Sequence, residues 1–292
     1  MPDSRLRDAL ARCASGSLPA NVALMQMAIA AGSKAEINTV LEAARAEAAD
    51  SDAAARLERA LTLWRETPHA FDHVKTAISD IAHEARVSAD DWGAAFDRIA
   101  VTSPIAGMAL YALGRDDLLA QATEEIADRL RGWQVLRPGA AVLDIGCGGG
   151  RLLRALAPTV GTAVGIEVSA GMLAAARRLC CGLANVELQR CSGSDLSLFH
   201  DGRFDLVIAV DVFPYLCLSD GDLPAKLMRE SARVLKPGGA LAIFNFSYSG
   251  DVAADRRELA RLAAAASLEI VRNGTRDLEL WDGLTFHLRK PA

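Results

Sequence analysis

No cysteine pair in this chain has the spacing of a zinc site. Cys13, Cys147, Cys180, Cys181, Cys191 and Cys217 contain no C-x-x-C and have no companion histidine pattern. The vicinal Cys180-Cys181 falls in a helical stretch, and the thiols are read as reduced, which points to a cytoplasmic setting. An excess of positive charge is also missing. Lysine and arginine total 32 against 37 acids, a formal net charge of -5. That gives no electrostatic footprint for DNA or RNA, so nucleic acid is not an expected partner. Long apolar runs are absent too. Val22 to Ala31 is apolar but broken by Gln26, far short of the roughly 20 residues that span a bilayer. The polar start Met1-Pro2-Asp3-Ser4-Arg5 leads into no signal-peptide core. No membrane association is expected. The apolar face of Val22 to Ala31 is expected to be exposed on the N-terminal helices and to suit a homodimer.

The residues that are present fit one α/β domain with a helical accessory region: 292 residues, 51% hydrophobic and 24% charged. Ala-, Leu- and charge-rich segments predict helices over Arg5 to Cys13, Pro19 to Ala31, Lys34 to Ala49, Asp52 to Arg65, His69 to Ala85, Ser88 to Arg98 and Asp116 to Trp133. Ser33 with Glu36 has the form of a capping box. After Leu136-Arg137-Pro138-Gly139 the pattern changes to short apolar runs alternating with helical segments. Strands are expected at Ala141 to Ile145, Thr162 to Ile166, Val186 to Arg190, Phe204 to Val210 and Ala240 to Phe246. This alternation means a doubly wound, mostly parallel sheet. Leu268 to Val271 and Asp277 to Trp281 read as extended. Asp282-Gly283 is then read as a hairpin turn into Leu284 to Arg289, an antiparallel last strand. The expected division is a helical accessory region over 1–100 and a ligand-binding domain over 101–292, with cap helices to 135 and an α/β core from 136.

The most informative segment is Val142-Leu143-Asp144-Ile145-Gly146-Cys147-Gly148-Gly149-Gly150, a buried strand running into a glycine-rich turn. A dinucleotide site needs G-x-G-x-x-G. From Gly146 the third glycine would fall on Arg151, and from Gly148 on Leu153, so that reading fails. There is no G-x-x-x-x-G-K-[ST] either. The order is D-x-G-x-G-x-G, which resembles motif I of the class I S-adenosylmethionine-dependent methyltransferases. Val164-Gly165-Ile166-Glu167-Val168-Ser169, then Gly171-Met172-Leu173, resembles the family's second strand with its terminal acidic residue. Ser192 to Leu196, Phe204 to Asp211 and Val234 to Gly239 resemble later segments in the right order. The likeness covers roughly Trp133 to Lys290.

The resemblance implies a Rossmann-like seven-stranded sheet, S-adenosyl-L-methionine as cofactor and S-adenosyl-L-homocysteine as product. It implies that Gly146, Cys147 and Gly148 meet the methionine part through their backbone, with Asp144 acting through the loop. Glu167 would accept from both ribose hydroxyls, while Val168 and Met172 sandwich the adenine. Asp195, with Ser194 beside it, would accept from the adenine amino group, and the Leu196 N–H would meet a ring nitrogen. Val210 and Asp211 close the fourth strand against the cofactor. Asp211 and Tyr215 are the candidates for catalysis, and Tyr111 for the cofactor's carboxylate. Ala95-Phe96-Asp97-Arg98 and Tyr111 to Gly114 stand where helices of small-molecule members close over the cleft. His287 reads as a satisfied structural histidine, and no metal is required. The leading reading is methyl transfer to O or N of a small-molecule acceptor. A nucleic-acid or protein methylase, a cofactor-dependent enzyme without net transfer, and a non-catalytic cofactor-binding protein would share the same loop.

Overall fold

Alanine and leucine at helical spacing, punctuated by Gly and Pro, build the first part of the chain. The computed structural model describes residues 3–82, 89–102 and 109–292. Its helices are α1 (Ser4–Ser15), α2 (Ala20–Ala30), α3 (Lys34–Ala46), α4 (Ser51–Glu66), α5 (Ala70–Ala82), α6 (Ala89–Thr102) and α7 (Asp116–Gly132), with a 3-10 turn at Leu110–Ala112. Each helix expected from the sequence is present, with ends displaced by a few residues. His83, Glu84, Ala85 and Ser88, expected at the neighbouring ends of two of them, lie outside the described residues. At the start of α3 the expected cap is present in a variant form. The Glu36 N–H donates to Ser33 Oγ at 3.2 Å, and Glu36 Oε2 accepts from Gly32 N at 2.9 Å. Among the described residues no helix is long and apolar enough to cross a membrane.

The chain forms two compact units. The helical unit gathers Met1–His83, Thr102–Ala122 and Leu278–Asp282. These bounds differ from the expected division at 100 and 101, because most of α6 goes with the sheet and a late segment goes with the helices. Within the helical unit α2 is the centre, and Val22, Leu24, Met27, Ala28 and Ala31 are at most 1% exposed. This corrects the expected exposed face. A helix that is apolar on every side is enclosed by its neighbours, so most of Val22 to Ala31 is covered, with Met25, Gln26, Ile29 and Ala30 half-buried. The amide of Asn21 is also buried there and donates to the carbonyls of Tyr111 (3.0 Å) and Leu280 (2.8 Å).

The second unit carries a seven-stranded sheet in the order β3-β2-β1-β4-β5-β7-β6. The strands are β1 (Ala141–Ile145), β2 (Thr162–Glu167), β3 (Val186–Arg190), β4 (Phe204–Val210), β5 (Leu235–Phe244), β6 (Glu269–Thr275) and β7 (Thr285–Arg289). The first five are parallel, and β7 runs antiparallel to both β5 and β6. Helices α8 (Arg151–Leu156), α9 (Ala170–Leu179), α10 (Phe213–Leu218), α11 (Leu223–Val234) and α12 (Val252–Ala265) join the strands. This is the expected Rossmann-like sheet with its reversed last strand. The turn into that strand differs. Asp282-Gly283 is not a two-residue hairpin, because residues 276–284 separate β6 from β7 and Trp281 is stacked on Tyr111 with ring centroids 5.3 Å apart. Strand order reverses between β1 and β4, which places a crevice at their carboxyl ends.

Candidate cofactor and acceptor site

At the end of β1 the chain must reverse sharply, and the glycines permit it. Gly146, Gly148 and Gly150 have φ of 65°, 52° and 82°, the left-handed region that L side chains avoid. A Cβ on Gly146 would stand 2.6 Å from Val212 Cγ2, so the loop after β4 presses against the turn. Cys147 packs toward β2. Its Sγ lies 2.8 Å from where a Cβ on Gly165 would be, and burial pushes its thiol well above the ordinary range. Its side chain is a packing group, which leaves its backbone as the part able to meet a ligand.

Two carboxylates are buried next to these glycines. Glu167, 5% exposed at the end of β2, accepts from Gly148 N through Oε2 and from Ser169 N through Oε1, each at 2.9 Å. Burial raises its proton affinity, and those backbone donors oppose the rise. Asp144 is 2% exposed. Burial pushes its pKa up to about 7, with Arg151 pulling down and Glu167 pushing up.

Helix α6, which carries the Ala95-Phe96-Asp97-Arg98 segment, bounds this corner. Gly93 lets the helix approach the Val168 carbonyl, which would lie 3.3 Å from a Cβ there. Asp97 Oδ1 accepts from Ser169 Oγ at 2.5 Å and Gly171 N at 2.8 Å. Ser169 Oγ in turn accepts from Met172 N at 3.0 Å, capping α9. Val168 is half-buried and Met172 fully buried.

Other expected residues stand apart from these contacts. Asp195 accepts from Ser197 N and Oγ and from Lys226 Nζ, at 3.2, 2.7 and 3.2 Å. The Leu196 N–H donates to Glu230 Oε2 at 3.2 Å, so both groups read for the adenine are engaged within the protein. Ser194 Oγ is 2.9 Å from Ser192 Oγ. Tyr111 belongs to the helical unit. At the end of β4, Val210 pairs with Phe244, and Asp211 comes next in the left-handed region. Its Oδ1 accepts from Asn245 Nδ2 at 2.8 Å and its Oδ2 from Tyr248 Oη at 2.7 Å. Burial pushes the Tyr215 hydroxyl up, with the Asp211 charge adding to it. Tyr215 meets Trp92 and Phe96 edge-on, at 4.9 and 5.2 Å between centroids. Asn245, Tyr248 and Trp92 were not expected in the site.

Residues 143–243 match the family described as a methyltransferase domain. This stretch of the α/β unit is similar to methyltransferase domains. Among curated relatives, a demethylmenaquinone methyltransferase of Tropheryma whipplei is 36% identical over 38% of this chain and 43% of its own length. A ubiquinone biosynthesis O-methyltransferase of Thiobacillus denitrificans is 31% identical over 48% of this chain and 56% of its own. The chain thus spans about half the length of the curated relatives it matches. The solved structure of the [4+2]-cyclase SpnF covers 71% of this chain and 98% of its own, with a TM-score of 0.52 and 20% identity. That likeness concerns the fold.

Proposed function

We propose that the protein transfers the methyl group of S-adenosyl-L-methionine to O or N of a small-molecule acceptor. The observation that carries this reading is the pair of buried carboxylates, Asp144 and Glu167, beside a glycine turn that admits a ligand to its backbone. A buried acid with a raised pKa is stabilised by a positive partner, and the proposed cofactor carries both an ammonium and a sulfonium. Gly146, Cys147 and Gly148 would meet its methionine part, Glu167 its ribose, and Val168 and Met172 its adenine. When bound, that cofactor supplies an activated methyl group. The protein's own work is then alignment of the acceptor, which can supply about 7–11 kcal/mol of the barrier, and removal of the acceptor's proton near Asp211. The net charge of -5 favours a compact acceptor over a polyanion.

Thermal unfolding with S-adenosylmethionine, S-adenosylhomocysteine and NAD in parallel tests the cofactor. A ligand at about 100 times its Kd adds about 2.7 kcal/mol. A rise with the two adenosyl-sulfur compounds alone is the expected result. Release of S-adenosylhomocysteine with candidate acceptors then separates an enzyme from a binding protein. No shift with either compound would remove the reading.

A further inference from the structure

Two non-glycine residues take the left-handed conformation at the ends of neighbouring strands: Asp211 (φ 58°) after β4 and Asn245 (φ 68°) after β5. Backbone of this kind is held only where its surroundings over-determine it. Here the two side chains meet, Asn245 Nδ2 donating to Asp211 Oδ1 at 2.8 Å. That bond leaves Asp211 Oδ2 turned to Tyr248 Oη at 2.7 Å. Tyr215 Oη is 3.4 Å from Tyr248 Oη. The Tyr248 hydroxyl faces two acceptors, Asp211 Oδ2 and Tyr215 Oη; it has one proton, and the nearer carboxylate is the stronger acceptor, so that proton goes to Asp211. Tyr248 therefore retains an acceptor position. It is 53% exposed and stands edge-on to Tyr215, with ring centroids 5.8 Å apart. Val212, the neighbour of Asp211, presses on Gly146, which sets this pair beside the glycine turn.

We propose that Tyr248 takes the acceptor's proton while passing its own to Asp211, and that the acceptor is a planar hydroxyl compound of the phenol type. This inference rests on the methyltransferase reading above. The acceptor's O–H bond breaks and an O–methyl bond forms. The acceptor proton goes to Tyr248 Oη, the former Tyr248 proton goes to Asp211 Oδ2, and the electron pair of the broken sulfur–methyl bond stays on sulfur. The rings of Trp92, Phe96 and Tyr215 form an edge-to-face array behind Tyr248, suited to a flat aromatic body. Asn245 is a positioning residue, acting only through Asp211.

The test uses 4-nitrophenol, whose ionisation is visible by absorbance, with wild type, Tyr248→Phe and Asp211→Asn. In the presence of S-adenosylhomocysteine, the bound probe should ionise at higher pH on wild type than on either variant, because the accepting Tyr248 oxygen and the Asp211 charge both favour the neutral phenol. With S-adenosylmethionine, Tyr248→Phe should lower kcat about 100-fold, leave the KM for the cofactor unchanged and remove the acid limb of the pH–rate profile. Equal kcat and equal probe titration would overturn the role of Tyr248. Failure of wild type to bind the probe, while S-adenosylhomocysteine still raises its melting temperature, would overturn the phenol class and leave methyl transfer standing. Loss of the cofactor shift itself would overturn both.

Discussion

Glu167 holds two backbone N–H groups, so removing its charge should loosen the glycine turn and the cofactor together. Glu167→Gln keeps the shape and one acceptor. It should weaken cofactor binding by the value of a hydrogen bond to a charged group, about 1.5–3 kcal/mol, measured by calorimetry. An unchanged Kd in the folded variant would take Glu167 out of the site. Asp144, its neighbour, does different work. With a pKa pushed up to about 7 by burial, it is partly protonated at neutral pH. A cationic ligand favours the ionised form. Cofactor affinity should therefore rise as pH increases from about 6 to about 8, and binding at neutral pH should release protons. Calorimetry in buffers of different ionisation enthalpy counts those protons, and Asp144→Asn should abolish the release.

At the scale of elements, the central parallel strands were legible because each carries a short apolar run, while the edge strand Val186–Arg190 alternates apolar and polar residues. Ala141–Ile145, Val186–Arg190 and Phe204–Val210 have the bounds read from sequence. The glycine turn was legible for the same local reason. The contacts that were not legible depend on partners far along the chain. Asp97 reaches Ser169, 72 residues away, and Tyr248 reaches Asp211, 37 residues away; neither has a motif of its own. The Asp282-Gly283 signal failed because the connection is held by Asn21 and Tyr111. His287 was read as satisfied, yet its Nε2 is buried without a hydrogen-bond partner among the described residues, and its ring stacks on Trp133 at 5.3 Å. Asn21 offers a direct test at this scale. Asn21→Ala removes this donor from a buried and a part-buried carbonyl, at about 1–3 kcal/mol in all. Urea unfolding should show a loss of this order. A loss below about 0.5 kcal/mol, the scatter of neutral surface changes, would mean water replaces the amide.

For the molecule as a whole, two buried groups bend the stability curve in opposite directions. Burial lowers the pKa of His287 to about 4, with Arg289 and Arg272 adding to the shift. Between that value and the ordinary 6.5 the unfolded state binds the extra proton, so this histidine's contribution is full above about 6.5 and is lost as pH falls toward 4. The difference amounts to about 3 kcal/mol. Asp144 acts the other way: its folded form binds the extra proton between 3.8 and about 7, so its contribution falls as pH rises through that range. His287→Phe should flatten the acid limb of stability measured by denaturant titration from about pH 4 to 7, and Asp144→Asn should steepen it. An acid limb unchanged in His287→Phe would mean the imidazole is protonated in the fold.

The clasp of Asn21 on Leu280 has a temporal side. The two residues are 259 positions apart, so a growing chain displays the first helices long before residue 280 has been made. Until then Asn21 lacks one of its two carbonyl partners, and Tyr111 lacks the ring that stacks on it. Domains generally fold as units, N-terminal first, during synthesis; here the first unit waits for a segment made much later. A chain interrupted before residue 280 would carry a helical unit that lacks the Asn21–Leu280 bond and the Trp281 ring on Tyr111.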